Sequence, residues 1–126
     1  MLTSALQNVT PEVGMRRLPF PSGHEGHIVY AIAFDMDIES LRSNYGDPYN
    51  NAYLEIRRIL QGHGFTWQQG SVYFGGERIN AVTCVLAAID LSRQLPWFAP
   101  SVRDIRMLRI EELNDLMPAV QQTQPE

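Results

Sequence analysis

Three observations in the 126-residue sequence predict an α+β fold. An unbroken apolar run, Ile28–Phe34, reads as a buried strand. Helical periodicity follows twice, over about 47–62 and 79–95. Alternating segments at 65–74 and 102–110 supply the remaining strands.

Residues 1–27 carry Pro11, Gly14, Pro19 and Pro21 and no sustained period, so a loosely held, dispensable arm is expected there. His24 and His27 bracket Glu25 in a Gly-flanked loop. Their spacing lacks the helical four-residue step of a zinc-protease motif, and solvated loop histidines are expected.

The strand Ile28–Phe34 is apolar on both faces, which places it in the middle of a sheet covered on both sides. Asp47 then reads as an N-cap with Pro48 at the first helical position. Ala52, Tyr53, Ile56, Ile59 and Leu60 form the buried stripe of that helix, and Gly62 and Gly64 end it. Phe65–Phe74 reads as a hairpin turning at Gly70. A second helix over Ile79–Leu95 is expected to bury Val82, Val85, Leu86 and Ile89, stopping before Pro96. Val102–Ile110 is the last strand, and a short amphipathic C-terminal helix with Leu113, Leu116 and Met117 on one side closes the domain near 118, leaving 119–126 as a tail. The order β-α-β-β-α-β predicts the ferredoxin-like arrangement, an antiparallel sheet with both helices on one face. That fold hosts many functions and selects none.

Composition narrows the classes. No stretch reaches the ~20 apolar residues of a membrane span. The N-terminus lacks the charge order of a signal peptide, so a cytoplasmic protein is expected. Cys84 is the only cysteine; it excludes an intrachain disulfide and, among "AVTCVLAA", reads as a core thiol. A net charge of −4 argues against a broad phosphate-coating surface, although not against a local basic patch.

Asp35 ends the first strand and shares a face with Val29, Ala31 and Ala33. With the helices on the other face, this one needs a cover, and a second copy about a two-fold axis is the expected one. Ala31 and Ala33 permit close approach there, and two copies of Asp35 would converge. Strand-end acids are also common turn formers, so the residues alone leave Asp35 with two readings, a solvated turn or a site carboxylate. Asp37 is one polar residue in a polar connection.

The strings "YAIAFD", "YGDPYNNAY", "QGSVYF" and "PWFAPSVRDIR", in this order and at these separations, resemble the virulence-associated protein D family over about Val29 to Leu116. That family is similar in fold to the CRISPR-associated small endonucleases of spacer acquisition. The resemblance implies a homodimeric endoribonuclease with RNA as substrate, in some members the toxin paired with an antitoxin protein. It carries the catalytic aspartate onto Asp35, and positions of the active region or dimer onto Ser71 and Asp104. Asp37 matches nothing in the pattern, and the arm has no counterpart in the family's short form.

Two mechanisms follow. Paired Asp35 carboxylates could hold a divalent metal, Mg²⁺, that orients water and neutralises phosphate. Alternatively, Asp35 could act as general base on the ribose 2′-hydroxyl. Arg103 or Arg106 would meet the phosphate charge, or else guard an edge strand. Ser71 and Tyr73 are expected on the Asp35 face, as substrate positioners or interface hydrogen-bonding groups. The contrasting class is a non-catalytic homodimeric scaffold or regulatory protein.

Overall fold

The computed structural model describes residues 14–20 and 28–123. His24 and His27 lie outside the described residues. Along the chain the elements are β1 (Arg16–Arg17), β2 (Val29–Met36), α1 (Ile38–Asn44), α2 (Asn50–Gly62), β3 (Phe65–Gln69) and β4 (Val72–Gly75). Then come α3 (Ala81–Gln94), the four-residue α4 (Phe98–Ser101), β5 (Val102–Ile110), β6 (Asn114–Asp115) and α5 (Met117–Gln122).

The main sheet runs β3-β4-β2-β5 with every pairing antiparallel, which is the ferredoxin-like order. Ile32, Phe34 and Met36 leave β2 on the helix side and pack with Ile56 and Leu60 of α2, Ala87 and Leu91 of α3, and Phe98. Each large apolar side chain buried there contributes about 1.5–3 kcal/mol over leaving it in water. The hairpin turns at Gly70, whose φ of 49° suits a residue without a Cβ. Gly75 is required by space: a Cβ there would stand 2.5 Å from Ile79 Cγ2.

The second helix departs from expectation in which face it buries. Its start is a capping box, with Asn80 accepting from the Thr83 amide and Thr83 accepting from the Asn80 amide. Cys84, Ala87 and Leu91 are the residues turned to the sheet, so the Cys84 thiol lies in the core as expected. Val82, Val85, Leu86 and Ile89 are 46–66% exposed. The inner face is thus Cys84, Ala87 and Leu91, and the four side chains expected there are turned to the other side.

The first long helix also starts later than expected. Asp47–Pro48 precedes it in a turn in which the Pro48 carbonyl accepts from the Asn51 amide at 3.3 Å, and Tyr49 is the N-cap. The Asp47 carboxylate points back to Arg42, 3.7 Å away, instead of capping.

Between β2 and that turn lies α1, a helix the periodicity did not announce. Asp37 caps it by accepting from the Ser40 amide at 3.1 Å. Buried Ser101 ties this corner to the start of β5. Its hydroxyl accepts from Asn44 Nδ2 at 3.1 Å and donates to the Ser40 carbonyl at 3.3 Å, while its own carbonyl accepts from the Asp37 amide at 2.8 Å. The end of β2 and the beginning of β5 are therefore fixed to each other.

On the face away from the helices the chain supplies part of the cover itself. Val29 and Ala31 are fully buried. Of the segment expected as a loosely held arm, residues 14–20 are described. Arg16 and Arg17 pair with Asp115 and Asn114, an Arg16–Asp115 ion pair joins the two, and the Leu18 amide donates to the Leu113 carbonyl at 2.9 Å. This ribbon and the hairpin bound a groove of about 830 Å³ that includes Leu18, Phe20, Val72, Phe74 and Leu116. Among the described residues no helix is long and apolar enough to cross a membrane.

Candidate active site

Strand alternation carries Asp35 to the face away from the helices, where its side chain is 61% exposed. Its cross-strand partner is Asp104. Directly opposed side chains on neighbouring antiparallel strands stand about 5 Å apart at Cβ, where like charges are destabilising. This pair of acids needs compensation, and two arginines supply it.

The first arrives through an irregularity. Asp35 pairs with Asp104 but Met36 pairs with Val102, so Arg103 is an extra residue in β5. A bulge of this kind re-aims a side chain. Arg103 Nη1 lies 3.6 Å from Asp35 Oδ2, and Nη2 lies 3.7 Å from Asp37 Oδ2. The second is Arg106, whose Nε donates to Asp104 Oδ2 at 2.9 Å. Arg106 pairs across the strands with Ala33, and Leu108 pairs with Ala31. The alanines therefore lie beside Asp35 on the same face, with Ala33 leaving room above the sheet.

Asp37 divides its two oxygens, Oδ1 to the α1 amide of Ser40 and Oδ2 toward Arg103. The Ser40 amide holds its carboxyl below the ordinary value of 3.8, opposed by partial burial and aided by Arg103. From α2, Tyr53 comes near the site: burial raises its phenol above the ordinary value of 10.0, and Tyr49 and the charge of Asp35 add to the rise. Tyr49 itself lies under Arg42, whose guanidinium carbon is 4.9 Å from the ring centre.

The structure brings Asp35, Arg103, Asp104, Arg106, Ala31 and Ala33 together. It separates Tyr73 from them. Tyr73 pairs with Ile32, is 2% exposed and stacks on Phe34 with ring centres 6.2 Å apart, so it belongs to the core on the opposite face. The expected alternation is one residue out of phase there, because β4 begins at Val72, opposite Ala33. Ser71 is half-buried and meets β2 through its carbonyl, which accepts from the Phe34 amide at 3.1 Å. Asp37 and Tyr53 were not singled out by sequence. The first is legible as an N-cap ahead of "IESL"; the second is disguised as one more apolar residue of a helical stripe.

Among the described residues His63 is the only histidine, and it is held on Asp90 at 2.6 Å where α2 ends. No group of three or more metal-binding side chains occurs among the described residues. Asp35 and Asp104 offer two opposed carboxylates, a set that would suit Mg²⁺ only with phosphate oxygens and water completing its shell.

Residues 28–116 match the family model described as CRISPR associated protein Cas2. The chain is 54% identical over 93 residues to Endoribonuclease VapD 2 of Riemerella anatipestifer, covering 73% of this chain and 99% of that protein. It is 53% identical over 92 residues to the Endoribonuclease VapD homolog of Helicobacter pylori, covering 73% and 96%. Endoribonuclease VapD of Dichelobacter nodosus is 46% identical over 92 residues, covering 73% and 97%.

Proposed function

The chain belongs to the Endoribonuclease VapD proteins within the CRISPR-associated Cas2 family, and from that premise we propose that it is an endoribonuclease cleaving RNA at a site centred on Asp35. One observation carries the placement of the site. Two acids, Asp35 and Asp104, are held opposite each other on adjacent strands, each with its own arginine. Such a pair weakens the sheet, and a solvent-exposed strand end gains nothing from it. A phosphodiester site uses both charges: a carboxylate to take a proton and guanidinium groups to meet phosphate oxygens.

In this reading Asp35 removes the proton of a ribose 2′-hydroxyl. The freed oxygen bonds to the adjacent phosphorus, and the bond from phosphorus to the 5′-oxygen breaks. A 2′,3′-cyclic phosphate and a 5′-hydroxyl result, water supplying the proton to the leaving oxygen. Arg103, already beside Asp35, neutralises the charge that grows on the phosphate. A second reading rests on the same acid pair: Asp35 and Asp104 would hold a Mg²⁺, whose chemistry is to orient water and neutralise phosphate.

The reading includes a homodimer built on the open part of the face that carries Ala33 and Asp35, Ala31 being already covered within the chain. Its support is apolar surface: Leu108 is 40% exposed beside Ala31, and Val72, Phe74 and Leu116 line the neighbouring groove. A place in the cytoplasm, where RNA is met, belongs to the same reading, and service as the toxin of a toxin–antitoxin pair is supported by family resemblance. The test is to give purified protein an RNA oligonucleotide and the DNA of the same sequence. Cleavage of RNA alone, leaving cyclic phosphate ends, is expected. Intact RNA would point to a non-catalytic scaffold.

A further inference from the structure

Asp37 lies outside the proposed chemistry, yet its two oxygens serve two different partners. Oδ1 is committed to the Ser40 amide, at the end of a helix whose corner Ser101 fixes to β5. Oδ2 faces Arg103 Nη2 at 3.7 Å, while Nη1 of the same guanidinium faces Asp35 at 3.6 Å. The guanidinium is therefore spanned between an anchored carboxylate and one that is free of other hydrogen bonds, since no bond to the Asp35 side chain besides this ion pair occurs among the described residues.

Resting on the endoribonuclease reading, we infer that Asp37 is a positioning residue: it holds one side of the Arg103 guanidinium so that the other side passes from Asp35 to the scissile phosphate. The geometry explains why a long, 62% exposed arginine needs a second contact. Exposed ion pairs are weak one at a time, and a flexible side chain held at one point samples many rotamers. Held at two, it keeps its charge over the reacting group. Departure of Nη1 toward phosphate also uncovers Asp35 as substrate arrives, so the base is screened in the free protein and released in the complex.

The experiment is Asp37→Asn, because asparagine also caps a helix, so the contact to the Ser40 amide is kept while the negative charge facing Arg103 is lost. The expected result is a melting temperature lowered only slightly, as the charge on the helix cap is lost, with kcat for RNA down about tenfold, the lower end of what losing an orienting partner costs. KM should change little. In an Arg103→Ala background the same substitution should have no further effect on kcat. A merely structural Asp37 predicts a loss of stability with kcat unchanged, and unchanged kcat in Asp37→Asn would overturn the inference. Nitrogen-15 NMR of the Arg103 guanidinium gives a reading independent of activity. Its signal should shift and average in Asp37→Asn, and an unaltered signal would also overturn the anchoring. Should the wild type leave RNA intact while that signal still responds, the endoribonuclease reading fails and the anchoring stands.

Discussion

Arg103 stands 3.6 Å from Asp35 because β5 carries one more residue than β2 between the pairs Asp35–Asp104 and Met36–Val102. Were the pairing regular there, strict alternation would turn Arg103 to the face opposite its neighbour Asp104, away from the acid. The bulge distinguishes Arg103 from Arg106, which is bound to Asp104 on its own strand. Arg103→Ala is expected to lower RNA cleavage about 100-fold, the scale for removing one preorganised charge-stabilising group. Arg106→Ala should cost less than about tenfold. Both arginines are exposed, so neither substitution should move stability beyond about 0.5 kcal/mol. Side-by-side rates and melts check this, and equal losses would remove the bulge from the account.

Acid should destabilise the protein through identifiable carboxylates. The Ser40 amide lowers Asp37, the hydrogen bond from His63 lowers Asp90, and the Met117 amide lowers Asp115, each below the ordinary 3.8. A carboxyl depressed in the folded state takes up its proton at higher pH in the unfolded chain. The unfolded state then binds more protons in that window, and stability falls as pH falls. Denaturant unfolding should show the full contribution at pH 6 and a progressive loss from about pH 5 downward. Asp90→Asn should flatten part of that slope; a wild-type profile level down to pH 3 would contradict the shifts.

The faces of α3 make a contrast that stability measurements can read. Leu86 is 53% exposed, and Leu86→Lys should change unfolding free energy by no more than about 0.5 kcal/mol. Leu91 is fully buried, and Leu91→Ala should cost about 2–5 kcal/mol. Similar losses from both would mean that Val82, Val85, Leu86 and Ile89 pack against something after all.

That contrast also shows where sequence reading stops. The strands, their order and the position of Asp35 follow from alternation and from an apolar run that ends in an acid. The helix Ala81–Gln94 is apolar nearly all round, so periodicity finds the helix and cannot choose between its faces. The helix Ile38–Asn44 buries only Leu41, too little pattern to announce itself, although its Asp37 cap was readable. Tyr73 faces the core against expectation, because phase across a hairpin depends on where pairing begins. The bulge at Arg103 comes from how two strands meet, and neither strand's own sequence encodes that.

Sedimentation velocity at micromolar concentration should show a dimer. Leu108→Glu, on the face of Ala31 and Asp35, should shift it toward monomer, and Leu86→Lys on α3 should not. A wild-type monomer, or a dimer broken only by the α3 variant, would move the interface elsewhere.

The most direct measurement of the central claim is the single-turnover rate of RNA cleavage by wild type and Asp35→Asn, prepared free of contaminating ribonuclease. Asparagine keeps the shape and one acceptor oxygen while removing the negative charge and the basicity. A loss of at least ~100-fold is expected, the low end of a general-base contribution. Fold and dimer should persist, and stability should hold or rise slightly as the opposition of Asp35 and Asp104 is relieved. Adding EDTA to the wild type separates the two readings of the chemistry: activity that persists supports the 2′-hydroxyl route, and activity that vanishes supports the metal. An Asp35→Asn protein that cuts RNA as fast as wild type would contradict the account.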